Sequence, residues 1–132
     1  LSLAGIYRPG RAPLIGLLKS GQPLPIPLEG LLNLIHVADA ARAIGWLMMA
    51  ENPRPLYLLS DGQPVKRGQF YRYIAAKCGV EEPRFVKPDG SDSRSQRATD
   101  KCVNSRLFWR DSGMQPLYRD YREGLEKALE TL

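Results

Sequence analysis

The sequence predicts an α/β fold, on three observations. Short apolar runs at residues 1–7, 31–37 and 56–59 read as strands. Segments with helical spacing follow, at about 38–51, 67–78 and 119–132. Turn and breaker residues separate each strand from the next helix, the alternation of an α/β chain. At 132 residues the chain is long enough for one core and is expected to form a single domain, residues 1–132. Three or four short strands make a poor sheet alone, because a parallel edge strand needs neighbours.

In chain order, residues 1–7 are apolar enough for a buried parallel strand, weakened locally by Gly5. Arg8-Pro9-Gly10 is turn chemistry. Leu14, Ile15, Leu17 and Leu18 suit a short helix over 13–20, with Pro13 in its first turn and Gly21 as its C-cap. Pro23, Pro25 and Pro27 make 22–30 an extended loop. The strand at 31–37 leads into a helix from about 38 to 51, with Ala40, Ala41, Ile44, Leu47 and Met48 expected on one face. Asp39 falls in that helix's first turn, where a carboxylate favours the dipole and serves as a cap. Asn52-Pro53-Arg54-Pro55 ends the helix. The strand at 56–59 ends at the turn Ser60-Asp61-Gly62.

Phe70, Ile74 and Cys78 recur at helical spacing over 67–78, and Gly79 closes that helix. Residues 83–87 read as another short strand, and 89–100, rich in serine and charge, as a mobile loop. Residues 101–103 are extended, and Asn104 is placed to cap a helix over 105–111. The last helix, 119–132, carries Tyr121, Leu125, Leu129 and Leu132 inward. No segment repeats another.

Composition narrows the function classes. The net charge of +5 and pI of about 9.4 would favour polyanions, but the basic residues are scattered and no aromatics interleave with them. Nucleic-acid binding is therefore disfavoured. The longest apolar stretch, 44–50, is far too short to span a membrane, so no membrane association is expected. Cys78 and Cys102 lack metal-ligand spacing and read as buried reduced thiols, which points to the cytoplasm. With a single histidine, no metal site is expected. The chain opens on Leu1 rather than Met, as a fragment, a processed chain or an engineered one would.

The motifs that are missing carry equal weight. No glycines stand as G-x-G-x-x-G or G-x-x-G-x-x-G, and there is no Walker loop, so no turn cradles a pyrophosphate at a helix N-terminus. Tyr73-Ile74-Ala75-Ala76-Lys77 matches the Tyr-x-x-x-Lys spacing of an acid/base pair, but in a helix whose neighbours read as amphipathic. It is read as a packing tyrosine with a solvated lysine. No catalytic residue is assigned within the chain.

Leu3-Ala-Gly-Ile-Tyr-Arg-Pro-Gly-Arg11, followed by Asn33-Leu-Ile-His-Val-Ala-Asp39, resembles two consecutive landmarks in the C-terminal half of extended short-chain dehydrogenases/reductases, the NAD-dependent epimerase/dehydratase family. The run from Leu56 to Val65, the run from Lys101 to Leu107 and the run from Tyr118 to Leu125 resemble later landmarks of that family in the same order. The resemblance implies the C-terminal part of a Rossmann-like parallel sheet with a small substrate-binding subdomain, the nucleotide-binding N-terminal half being absent. In that family the glycine-rich turn and the catalytic Tyr-x-x-x-Lys both precede the first landmark, so Tyr73 and Lys77 also stand in the wrong order.

By the same resemblance, Leu3, Ala4 and Gly5 pass the nicotinamide with mostly backbone groups, and Tyr7, Arg8 and Arg11 face the substrate. For Tyr7 the competing reading is a packed strand-end aromatic, and for Arg11 a surface charge. His36 and Asp39 belong to strand-to-helix packing and capping. Two positions depart from the family pattern. Arg8 stands where glycine is usual, and Leu32 stands where nucleotide-sugar enzymes often carry a diphosphate-clamping arginine. A small-molecule substrate other than a nucleotide sugar is therefore expected.

The leading expectation is a substrate-binding, sheet-completing fragment of an NAD(P)-dependent epimerase, dehydratase or reductase. It would be inactive by itself and bind no cofactor alone, NAD or NADP belonging to the complete protein. Its partner would be the N-terminal half of the same protein, or a second copy through the edge formed by residues 1–7. A non-catalytic remnant or sensor module of the same fold is the alternative, and a basic nucleic-acid-binding domain the third.

Overall fold

The computed structural model describes residues 1–8, 15–26, 29–86 and 103–130, with the side chains of the last helix described through Leu125. Its chain gathers into two compact units, one built from Leu1–Ala12, Asn33–Pro64 and Val103–Leu132, the other from Pro13–Leu32 and Val65–Cys102.

The first unit starts with β1 (Ser2–Leu3) and β2 (Gly5–Tyr7), two pieces where the sequence predicts one strand. β4 (Leu34–His36) lies parallel to β2, pairing Gly5 with Leu34, Ile6 with Ile35 and Tyr7 with His36. β5 (Leu58–Leu59) lies parallel to β1, pairing Ser2 with Leu58 and Leu3 with Leu59. The switch of partner falls at Ala4 and Gly5: the Ala4 N–H donates to the Leu59 carbonyl (3.0 Å), and the next N–H, of Gly5, to that of Asn33 (3.0 Å). This change of partner breaks the expected seven-residue strand.

Helix α2 (Val37–Met49) follows β4 directly. Its inward side is not the one expected. Asp39, Ala40 and Ala43 are buried and Trp46 and Leu47 pack against the core, whereas Ala41, Ile44 and Met48 are exposed. Apolar residues occur on every side of this helix, so hydrophobic spacing alone could not select the buried side; the parallel strands do. The core joins Ile35, Ala40, Ala43, Tyr57, Leu59 and Phe108. Within it, Trp46, Tyr57 and Phe108 meet edge to face, with centroids 5.6–5.8 Å apart, the favoured geometry for aromatic quadrupoles. Phe108 arrives on α4 (Arg106–Ser112), whose N-cap position is Ser105 rather than the expected Asn104; Asn104 Oδ1, one residue earlier, accepts from the Arg106 N–H at 3.0 Å. α5 (Tyr121–Glu130) completes the unit, with Tyr121 and Leu125 buried as expected.

The second unit holds α1 (Ile15–Lys19), β3 (Leu31–Leu32), β6 (Val65–Lys66) and α3 (Arg67–Cys78). β3 and β6 pair antiparallel, Leu32 opposite Val65. Sequence patterning gives no sign of β6, since a two-residue strand has no period. The expected strand at 83–87 is a single bridge, Phe85 to Leu24. Phe70, Tyr71, Ile74 and Ala75 fill the inner side of α3, and Gly79 closes it in the left-handed region, φ 69°. Cys78 is half-buried rather than buried. The expectations for residues 89–100, for Arg11, for Cys102 and for the inward side chains of Leu129 and Leu132 lie outside the described residues. Among the described residues, no helix is long and apolar enough to cross a membrane.

Candidate functional site

The parallel pairing of β2 with β4 brings Tyr7 abreast of His36, at the point where β4 turns into α2. Their rings meet edge to face at 5.2 Å, and His36 stacks on Tyr118 at 3.9 Å. His36 Nδ1 accepts from the Ala38 N–H at 3.0 Å, capping α2. An acceptor in that role must be unprotonated, and burial lowers the His36 pKa in the same sense, against the pull of Asp39. His36 thus packs at the strand-to-helix turn, as the sequence reading held, and it also caps α2, the part that reading gave to Asp39.

Asp39 does more than favour a helix dipole. It is fully buried and accepts from the backbone N–H groups of Leu117 (2.8 Å) and Tyr118 (3.1 Å), with Arg42 Nη1 at 2.8 Å from the same carboxylate. Arg42 Nη1 also donates to the Gln115 carbonyl at 3.0 Å. One buried carboxylate with its arginine therefore fixes the 115–118 segment, which sets Tyr118 on His36.

Tyr7 has no exposed surface, and its hydroxyl makes no hydrogen bond among the described residues. Its phenol abuts Gly124 on α5 so closely that a Cβ there would collide with the ring and hydroxyl. Burial raises the Tyr7 pKa, and Asp61, Asp39, Asp120 and Glu123 raise it further. Asp61, in the turn after β5, is a residue the sequence reading passed over as turn chemistry. It is buried, its Oδ1 accepts from the Gln63 N–H at 2.8 Å, and burial pushes its pKa up to about 7. The signal available in sequence was slight: an aspartate directly after an apolar strand.

Of the residues assigned by resemblance, Leu3 in β1 and Ala4 just after it are half-buried, Gly5 is exposed, Tyr7 is buried and Arg8 is exposed. The N–H groups of Ala4 and Gly5 are engaged in sheet pairing. The glycine-rich turn a dinucleotide requires is missing from the sequence, and α2, which follows β4 directly, opens on the His36 cap. Lys77 Nζ lies 5.7 Å from the centre of the Tyr73 ring, so the lysine sits over the ring face. Among the described residues, no three histidine, cysteine or acidic side chains group to hold a metal. A concavity of about 520 Å³ in the second unit is lined by Glu29, Gly30, Leu31, Lys66, Gln69 and Arg72, none of them a residue assigned from sequence.

No family model matches the chain. The Escherichia coli (strain K12) protein YeeZ is 34% identical over 85 residues, which is 64% of this chain and 30% of that protein. A functionally unknown conserved protein from Silicibacter pomeroyi DSS has a structure matching 97% of this chain and 46% of its own, at 33% identity and TM-score 0.76. UDP-glucose 4-epimerase from Thermotoga maritima, solved with UDP-glucose, matches 98% of this chain and 43% of its own, at 20% identity and TM-score 0.74. A dTDP-glucose 4,6-dehydratase from Streptomyces venezuelae, solved with NAD, matches 97% and 41%, at 16% identity and TM-score 0.74. The chain thus spans under a third of the curated relative and under half of these structures. Its fold is that of a part of the epimerase/dehydratase structures.

Proposed function

We propose that this chain is the substrate-binding, sheet-completing portion of an NAD(P)-dependent epimerase, dehydratase or reductase of the short-chain dehydrogenase/reductase type. The observation that carries the reading is the extent of the likeness. Nearly all of the chain follows less than half of enzymes that were solved with NAD or a nucleotide sugar. The order of the motifs around Tyr7 and His36 supports it from the sequence side. The nucleotide turn and the acid/base pair would then lie in the N-terminal half, with NAD or NADP held there.

In this reading Leu3, Ala4 and Gly5 pass beside the nicotinamide and offer it surface, Gly5 most openly. Tyr7, Arg8 and Arg11 mark the substrate side, Arg8 and Arg11 as cations and Tyr7 as the buried aromatic at the end of β2. The substrate is a small molecule less anionic than a nucleotide sugar, because Leu32 holds the place of a diphosphate-clamping arginine. The N-terminal half, or a second copy, pairs with the edge formed by residues 1–7. By itself the chain should bind neither NADH nor NADPH. Titration of each dinucleotide, followed by nicotinamide fluorescence, is expected to give no saturable signal. A micromolar dissociation constant would overturn the reading.

A further inference from the structure

Helix α2 has two apolar sides and uses one. Ala40, Ala43, Trp46 and Leu47 serve the core. Ala41, Ile44, Gly45 and Met48, at i, i+3, i+4 and i+7, form a second stripe on one side of the helix. All four are exposed, Ile44 by 47% and Met48 by 81%, and Met49 beside them by 84%. A Cβ built on Gly45 would meet nothing within 4 Å. After Arg42 the helix has no charged residue. A helix whose last two turns are apolar on every side belongs there in an interior, and thirteen residues are too few to cross a bilayer. Leu1, Ile6, Leu56 and Leu58 of the same unit are exposed as well, so apolar exposure in this unit is not confined to α2.

We infer that the Ala41/Ile44/Gly45/Met48 side of α2 is a docking seam for a helix from the polypeptide that supplies the nucleotide-binding part of the fold. The inference rests on the functional reading above and names the surface through which the two parts meet. Two observations select this occupant. More than half of each matched structure lies outside the part this chain resembles. And α2 flanks parallel strands, the arrangement in which neighbouring helices lie side by side over an extended sheet. The alternation of small and large residues suits the purpose. Ala41 and Gly45 leave a groove, while Ile44 and Met48 provide the ridge, as close helix packing at 8–10 Å requires.

The test uses the whole chain and the polypeptide encoded immediately upstream of Leu1 in the same frame, each purified, with affinity measured by calorimetry. The double variant Ile44→Lys/Met48→Lys alters only exposed side chains, so its circular dichroism and Tm should match the parent. Its affinity for the upstream polypeptide is expected to fall on the order of 100-fold, since the seam would bury two unpaired charges. Leu107→Lys, on an exposed apolar residue of α4 rather than α2, should change affinity less than twofold. Parent-like affinity of the double variant would overturn the seam and leave the functional reading standing. No binding by the parent chain would overturn both. A parent homodimer that the two lysines dissociate would assign the seam to a second copy instead.

Discussion

Helices α2 and α3 are nearly equal in length, thirteen and twelve residues, yet only one of them declares its inner side in sequence. In α3, Gln69, Arg72 and Lys77 are exposed and Phe70, Tyr71, Ile74 and Ala75 are buried, so polar residues mark the outside. In α2 no charge follows Arg42, and both sides are equally acceptable to a core. The two helices begin alike, each with a buried charge that ties down a remote segment. Asp39 holds the Leu117 and Tyr118 N–H groups, and Arg67 Nη1 donates to the Glu29 carbonyl at 2.9 Å. Gly30 makes room for that guanidinium, which a Cβ there would strike. The helices differ in what their outer sides are for. Water suffices for α3, whereas the outer side of α2 is chemically an interior surface.

The comparison is sharpest where α2 meets its own core. Phe108→Ala removes the ring that Trp46 and Tyr57 pack on, and should cost about 3–5 kcal/mol in urea unfolding, the range for a buried aromatic. Ile44→Ser, on the outer side of the same helix, should stay within about 0.5 kcal/mol in the isolated chain. Equal losses would mean that the two sides of α2 are not distinct.

Acid and base should act at the turn after β5 and at the start of α2. Asp61 has its folded pKa raised to about 7, chiefly by burial and then by Asp120 and Asp39. The folded state therefore holds this proton more tightly than the unfolded chain. Stability from this group is full below the usual carboxylate pKa and is lost as pH rises through about 7, by up to about 4 kcal/mol. His36, with its pKa lowered by burial, acts in the opposite sense, weakening the fold as pH falls. Asp61→Asn keeps the turn acceptor and removes the titration, so its stability between pH 4 and 7.5 should lack the decline seen in the parent. Parallel pH profiles would show that Asp61 is not the source.

On α3, the outer side should matter little. Arg72→Ala breaks an exposed ion pair with Glu82 (2.6 Å) and should change stability by less than about 1 kcal/mol, an effect diminishing further in salt. A larger loss would mean that α3, too, does more on its outer side than meet water.

Legibility follows the same division. The bounds of α3 were readable because Gly79 must take a left-handed conformation and the apolar spacing has polar gaps. The pairing partners of residues 1–7 were not, since the switch at Ala4 depends on strands 29 and 56 residues further along. The strand end at Tyr7 and His36 was marked by motif order. Asp61 was not, because a turn aspartate and a buried one look the same until the packing around them is known. Asp39 was legible as a helix-start residue, but its grip on 117–118 is a contact across 78 positions.

The most direct test of the account is oxidation of Met48 by dilute hydrogen peroxide, followed by peptide mass spectrometry, with half-buried Met114 as the internal reference. In the isolated chain Met48 should react fast, as its exposure dictates. In a polypeptide that joins this chain to the nucleotide-binding part proposed above, Met48 should become several-fold slower while Met114 keeps its rate. Equal Met48 rates in the two proteins would contradict the claim that α2 presents an interior surface for the rest of the fold.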